Sequence, residues 1–360
     1  MNTAVTAGGR QVLPGLGAAV ATVAVAAVGL RVSGLGVIDA IGFALVIAWA
    51  IAGVVLARAA DRTAYWLIAL GALDGAVALT AAQMSGQYQA AGQHAARVMA
   101  TLAGTLVIAI SFHFLIALPD GRLGRPGWRL VAALGYATAV GTGIGLAVAA
   151  EPFPLMAGGL IWLLAVLTAL PVTRLRYLKA AGRDKERMQW LGTGMLVAAT
   201  VALISAVLNL LVGWPESAGA VAASASAVVP LAVILGEWPP LARHGGSALV
   251  HALSAAGSAA VVATVYLVIV LGLGEAPGDS ADQRLLGFSI VAAALAVIAY
   301  LPVRGRLAAF ATRFVYGTRE APGESLRTFG SRMTRAVSMD ELLLQLAESL
   351  RKTMRLDCAE

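Results

Sequence analysis

The 360-residue chain has a single cysteine, Cys358, placed in its polar C-terminal stretch, so no internal disulfide can form and nothing marks an oxidised, disulfide-stapled outer domain. Histidine is scarce as well. His94, His113, His244 and His251 are scattered without the spacing of a ligand set, which argues against a metal centre. Charged residues make up only 12% of the chain, about half the share of soluble domains. The formal net charge of +7 is not the footprint of a nucleic-acid binder, because the basic residues are spread over short connections and no aromatics interleave with them to stack on bases. No cluster of His, Asp or Glu could hold a metal or act as an acid–base pair, so an enzyme site has no support and no catalytic residue or cofactor site is expected.

What the chain has in excess is apolar sequence. With 59% hydrophobic residues and a mean hydropathy of +0.82, it reads as an integral membrane protein, all-α, a polytopic helix bundle whose first partner is the lipid bilayer. About 20 helical residues cross the ~30 Å hydrocarbon core. Ten runs qualify, at about 13–30, 36–57, 64–83, 98–118, 130–150, 153–173, 189–213, 218–236, 248–273 and 285–303. Alternate connections collect the cations: Arg58 and Arg62; Arg122, Arg125 and Arg129; the run 174–187; Arg243; and Arg304 with Arg306. The other set carries Arg31, Arg97 and Arg284. The positive-inside rule then predicts a multi-pass protein of the cell membrane with both termini cytoplasmic. The run 174–187 is most simply a topology determinant, with contact to a cytosolic domain or to anionic lipid as further roles.

The sequence predicts three regions: a transmembrane input region, 1–304; a juxtamembrane amphipathic segment, 305–321; and cytoplasmic signalling helices, 322–360. In the second, Leu307, Phe310 and Phe314 recur near helical spacing beside Arg306 and Arg313, which suits a segment lying along the inner leaflet. Tyr316-Gly317 and Pro322 end it. In the third, Ser338 and Glu341 form a capping box ahead of Leu342, Leu343, Leu346, Leu350 and Met354. Helices so short and amphipathic need a partner surface.

Several short motifs carry a resemblance. "LPDGRL", with Pro119, Asp120, Gly121 and Arg122, follows an apolar run; "RLRYLKAAGRDKERMQWLGTG" is a basic connection containing Gln189-Trp190; "RLAAFATRFVYGTREAP" leads into the two tail helices. Together they resemble the multi-span membrane regions of actinobacterial sensor histidine kinases, and the last is similar to the juxtamembrane element that leads into a cytosolic GAF-like domain. Glu237-Trp238-Pro239-Pro240 departs from the more basic, tyrosine-containing connection of that family. The resemblance implies the input half of a two-component sensor kinase. It would be a homodimer coupled to GAF-like and kinase domains and, indirectly, to a response regulator. These 360 residues hold no phosphoacceptor histidine after His251 and no ATP-binding box, so ATP and Mg are expected only for the kinase domains.

Within that frame, Pro302, Arg306, Arg313, Tyr316 and Gly317 are the expected coupling residues, carrying a change in helix packing to the tail. Polar residues inside spans are the candidate sensing positions. Asp74 lies near mid-membrane in "GALDG", where a charged carboxylate costs at least ~2.5 kcal/mol. It is either a functional group or a protonated carboxyl hydrogen-bonded across a helix interface. Asn209 and His251 are expected to hydrogen-bond between helices rather than touch a ligand. "GTGIG" at 141–145 reads as close helix packing rather than a phosphate loop. The rival reading is a transporter or permease, which ten spans would suit, although the halves show no repeat.

Overall fold

A computed structural model describes residues 4–32, 36–60, 66–85, 90–119, 123, 126–149, 155–215, 218–273, 282–316 and 347–348. These residues form twelve helices and no strand: α1 (Ala4–Val32), α2 (Val37–Ala60), α3 (Trp66–Ser85), α4 (Ala90–Ala117), α5 (Pro126–Val148), α6 (Leu155–Lys179), α7 (Gly182–Val212), α8 (Ala218–Ser226), α9 (Val228–Glu237), α10 (Pro239–Ala242), α11 (Gly245–Leu273) and α12 (Asp282–Tyr316). Eight membrane-length apolar segments lie among them, and a ninth is counted if the two arms of α12 form one span. All ten expected runs fall on helices, but the sixth, in α6, is outside those eight, and the tenth lies in α12, whose arms Ala293–Tyr300 and Pro302–Tyr316 meet at 47°.

Proline accounts for the irregularities. Pro302 has no N–H to give the carbonyl four residues back, and its ring crowds that turn, so α12 bends there. The expected run 218–236 is split at Ala227 into α8 and α9 for the same reason, since Pro230 is tolerated only in the first turn of a new helix. The break closes on itself: the Ala227 N–H bonds the Ser224 carbonyl and the Leu231 N–H bonds that of Ala227. At the end of α7, Gly213 takes φ 70°, a left-handed cap that its missing Cβ permits.

The buried residues are mostly small. Alanines 26, 50, 52, 69, 72, 76, 109, 117 and 169 line helix contacts, whereas Leu130, Leu134, Val148, Leu164, Leu167, Val268 and Ile298 point outward. That is the packing of a protein whose helices gain nothing by hiding apolar surface from a hydrocarbon solvent and instead approach closely through small side chains. A Cβ on Gly53 would sit 2.8 Å from the backbone nitrogen of Ala69, and one on Gly194 2.9 Å from the Val229 Cα. The GxxxG of α3 works likewise, with Gly71 facing Ile110 of α4 and Gly75 facing Val46 of α2.

The helices fall into two groups. α3 packs against α1, α2 and α4, and α4 carries α5 and α6; in the second group α7 packs on α8, α9 and α11, and α12 lies along α11. α2 joins the groups through α8 and α9. An apolar cluster runs through both, including Leu56, Ile116, Ala169, Tyr177, Leu191 and Val233. The helix α12 runs straight through the expected boundary at 304/305. Residues 305–316 pack on α11, with Leu307 against Gly257 and Tyr316 against Gly246.

Candidate functional site

The richest polar assembly in the described residues lies at the arginine-rich end of the bundle, on the connection between α6 and α7. Around it converge the ends of α4, α9 and α12 and the start of α11.

The C-terminal end of α6 reaches in two directions. Arg176 Nη1 donates to the Leu118 carbonyl at the end of α4 at 3.0 Å, and Thr173 Oγ1 lies between the Leu115 carbonyl of α4 at 3.3 Å and the Ala169 carbonyl of its own helix at 3.0 Å. Arg174 Nη1 donates to the Phe314 carbonyl at 2.7 Å, and the Tyr177 hydroxyl donates to the Val315 carbonyl at 3.0 Å, both in the last turn of α12. The Arg174 guanidinium also lies 3.5 Å above the Phe314 ring. Helix periodicity produces this division: residues three apart share a face, and the two pairs are offset by one residue, about 100° around the axis. Phe314 and Val315 are among the last four residues of α12, whose carbonyls have no partner within the helix, so these donors cap it.

Tyr177 is buried and accepts a hydrogen bond from Gln189 Nε2 at 3.0 Å, which ties the start of α7 into the assembly. Burial pushes the Tyr177 phenol above its ordinary pKa, while Gln189 and Arg174 pull it the other way; burial raises Tyr316 as well. The phenol therefore stays a donor through the neutral range. On the far side of α7, Arg187 makes a two-pronged pair with Glu237, Nε to Oε1 at 2.5 Å and Nη2 to Oε2 at 3.1 Å, with only 11% and 7% of the two side chains exposed. Arg183 donates to the Glu237 carbonyl at 2.8 Å, Arg187 also pairs with Asp184, and Trp190 Nε1 reaches the Ala242 carbonyl at 3.3 Å. Glu237, the residue that departs from the resembled family's connection, is thus the counter-ion of the α7 arginines. Gly236 and Gly245 leave room for the Trp190 ring, since a Cβ at either would touch it at 2.9–3.0 Å.

The sensing candidates are not brought together. Asp74 Oδ2 is buried with no hydrogen-bond partner among the described residues. On neighbouring helices His113 and Tyr136 bond each other at 3.1 Å and meet edge to face. Asn209 was expected to bond between helices, but its Nδ2 donates to the Pro215 carbonyl at 2.7 Å, closing the turn that follows α7; its carbonyl takes the Gly213 N–H. His251 is exposed, its Nδ1 bonded to the Ser247 carbonyl one turn back on the same helix. His251 thus bonds its own helix, and Asn209 the turn just beyond the end of its helix. Of "GTGIG", only Gly143 meets a neighbour, Leu102 and Thr105 of α4; Gly141 and Gly145 face open space.

Among the coupling candidates, Pro302 sits at the α12 bend, Arg306 and Arg313 are exposed, and Tyr316 lies against α11. Pro119 is buried at the end of α4. Asp120, Gly121, Arg122 and Gly317 lie outside the described residues, as does the tail from 322 except Ala347 and Glu348. Sequence reading took 174–187 as a charge pattern and missed the joint. The missed signal is the i, i+3 pairing of Thr173 with Arg176 and of Arg174 with Tyr177. No group of three or more His, Cys, Asp or Glu in the described residues could hold a metal ion. No family model matches the sequence, and no curated protein or solved structure is similar to it.

Proposed function

We propose that the chain is the membrane-embedded input region of a sensor histidine kinase. In this reading ten spans cross the cell membrane, both termini and the arginine-rich end are cytoplasmic, and the chain works as a homodimer. A change in bundle packing, set by a small apolar ligand or by the bilayer, passes through α12 to GAF-like and kinase domains and so to a response regulator. ATP and Mg belong to those domains.

One observation carries the reading: the last turn of α12, the helix that leads into the tail, is held by side chains of α6 from the other helix group. A helix end gripped in this way reports the arrangement of the bundle to whatever follows it. A coupling of about 1–3 kcal/mol is enough for a useful switch. The transporter reading draws on broken helices, whose unwound carbonyls would bind substrate. Here two backbone hydrogen bonds bridge the α8–α9 break, and Asp74 and His251 share no hydrogen bond.

The test is to read the coding DNA in frame beyond codon 360. A GAF-like segment, a phosphoacceptor histidine and an ATP-binding box are the expected result. A stop codon would remove the kinase reading.

A further inference from the structure

We propose that the C-terminal end of α6, residues 173–177, is a two-sided coupler that transmits displacement of α4 to the end of α12. The inference rests on the sensor reading for its purpose but not for its geometry. On one face Arg176 holds the Leu118 carbonyl at the end of α4, and Thr173 shares its hydroxyl between the Leu115 carbonyl of α4 and the nearer Ala169 carbonyl of its own helix; the adjacent face, Arg174 and Tyr177, holds the Phe314 and Val315 carbonyls of α12. All four bonds to α4 and α12 run from side chain to backbone, so they follow the position of each helix rather than the identity of its side chains.

The two attachments differ in kind. α4 packs along α6, whereas Arg174 and Tyr177 bond the final turn of α12. Most of α12 instead follows α11. The α12 end is therefore placed between two masters: α11 in the second helix group, and α4 acting through α6 in the first. Sliding α4 by a fraction of a turn carries Thr173 and Arg176 with it. Arg174 and Tyr177, rigidly joined to them on the same helical turn, must then drag the α12 carbonyls or release them. Gln189 braces Tyr177 from α7, so the hydroxyl cannot simply turn to follow a receding partner. The coupler thus has two outcomes, held and released.

The experiment is a spin-label distance measurement on the full chain in a lipid bilayer, with Cys358→Ser to remove the native thiol. Labels replace Arg58 on α2 and Arg313 on α12, both exposed. With the coupler intact, one narrow distance is expected. Arg174→Ala with Tyr177→Phe should broaden or shift it. The decisive variant is Thr173→Val with Arg176→Gln, which removes the groups that hold the α4 carbonyls and should produce the same change. An unaltered distance in that variant overturns the coupler, as does an unaltered distance when the α12 face is removed. Tyr177→Phe alone, which deletes one oxygen, keeps the test readable if a double variant folds poorly; it should broaden the distance partially, and no change counts against the proposal. The readout needs no kinase. A distance that responds while autophosphorylation of the complete protein does not would leave the coupler standing and the sensor reading overturned.

Discussion

At the scale of single residues, the junction depends on groups that would be costly to bury alone. Tyr177 is 6% exposed and spends its hydroxyl on two partners, Val315 and Gln189. Tyr177→Phe leaves both unsatisfied and should destabilise the protein by about 1–3 kcal/mol, read as a lower melting temperature in detergent. The junction uses the neutral phenol and burial raises its pKa. Its contribution is therefore complete below the unfolded value of about 10 and lost as pH climbs from there toward the folded value. The melting temperature of the native chain should fall above that pH, and that of Tyr177→Phe should fall less steeply. A second residue-scale prediction concerns Glu237. Glu237→Ala takes the two-pronged partner from the largely buried Arg187, and a loss of roughly 3 kcal/mol is expected by the same measurement.

At the scale of helices, small residues set how near two axes can come. Gly53→Ala places a Cβ 2.8 Å from the Ala69 backbone nitrogen and should cost about 1–3 kcal/mol through forced separation of α2 and α3. Gly141→Ala, which meets nothing within 4 Å, should be neutral or slightly stabilising, and the two melting curves compared side by side check this. Both glycines look alike in the sequence, which shows where reading it stops. Apolar length located the helices on which the ten runs fall, and eight apolar segments among the described residues are long enough to cross a membrane. The bend of α12 at Pro302 follows from its missing N–H, although the sequence reading named that residue only as a coupling position. Which face of "GTGIG" meets a neighbour was not legible, since that depends on the rotation of α5 against α4. The same limit applied to the site. Arg174, Arg176, Arg183 and Arg187 looked like one basic run. Their division among α12, α4 and α9 is a tertiary fact, although the offset pairs 173/176 and 174/177 were visible as helix faces. Asn209 bonds the turn that follows its helix and His251 the backbone of its own helix, local partners that a reading for contacts between helices does not find.

In the whole molecule, two helix groups are joined through α2 and through the α6–α7 connection, with α12 held by both. Orientation is testable directly. In a Cys358→Ser background, a cysteine at Arg129 should react with an impermeant thiol reagent from the cytoplasmic face only, and one at Val148, exposed at the other end of α5, from the opposite face only. Labelling of both from one side would dismantle the proposed topology. In the proposed function the grip of α6 on α12 carries the state of the bundle to the tail, and autophosphorylation of the proposed sensor kinase in membranes tests this most directly. Arg174→Ala with Tyr177→Phe should change the basal rate by roughly fivefold or more, the effect of losing about 1 kcal/mol or more of coupling. A rate equal to that of the unaltered protein, in a variant that remains folded in the membrane, would contradict the account.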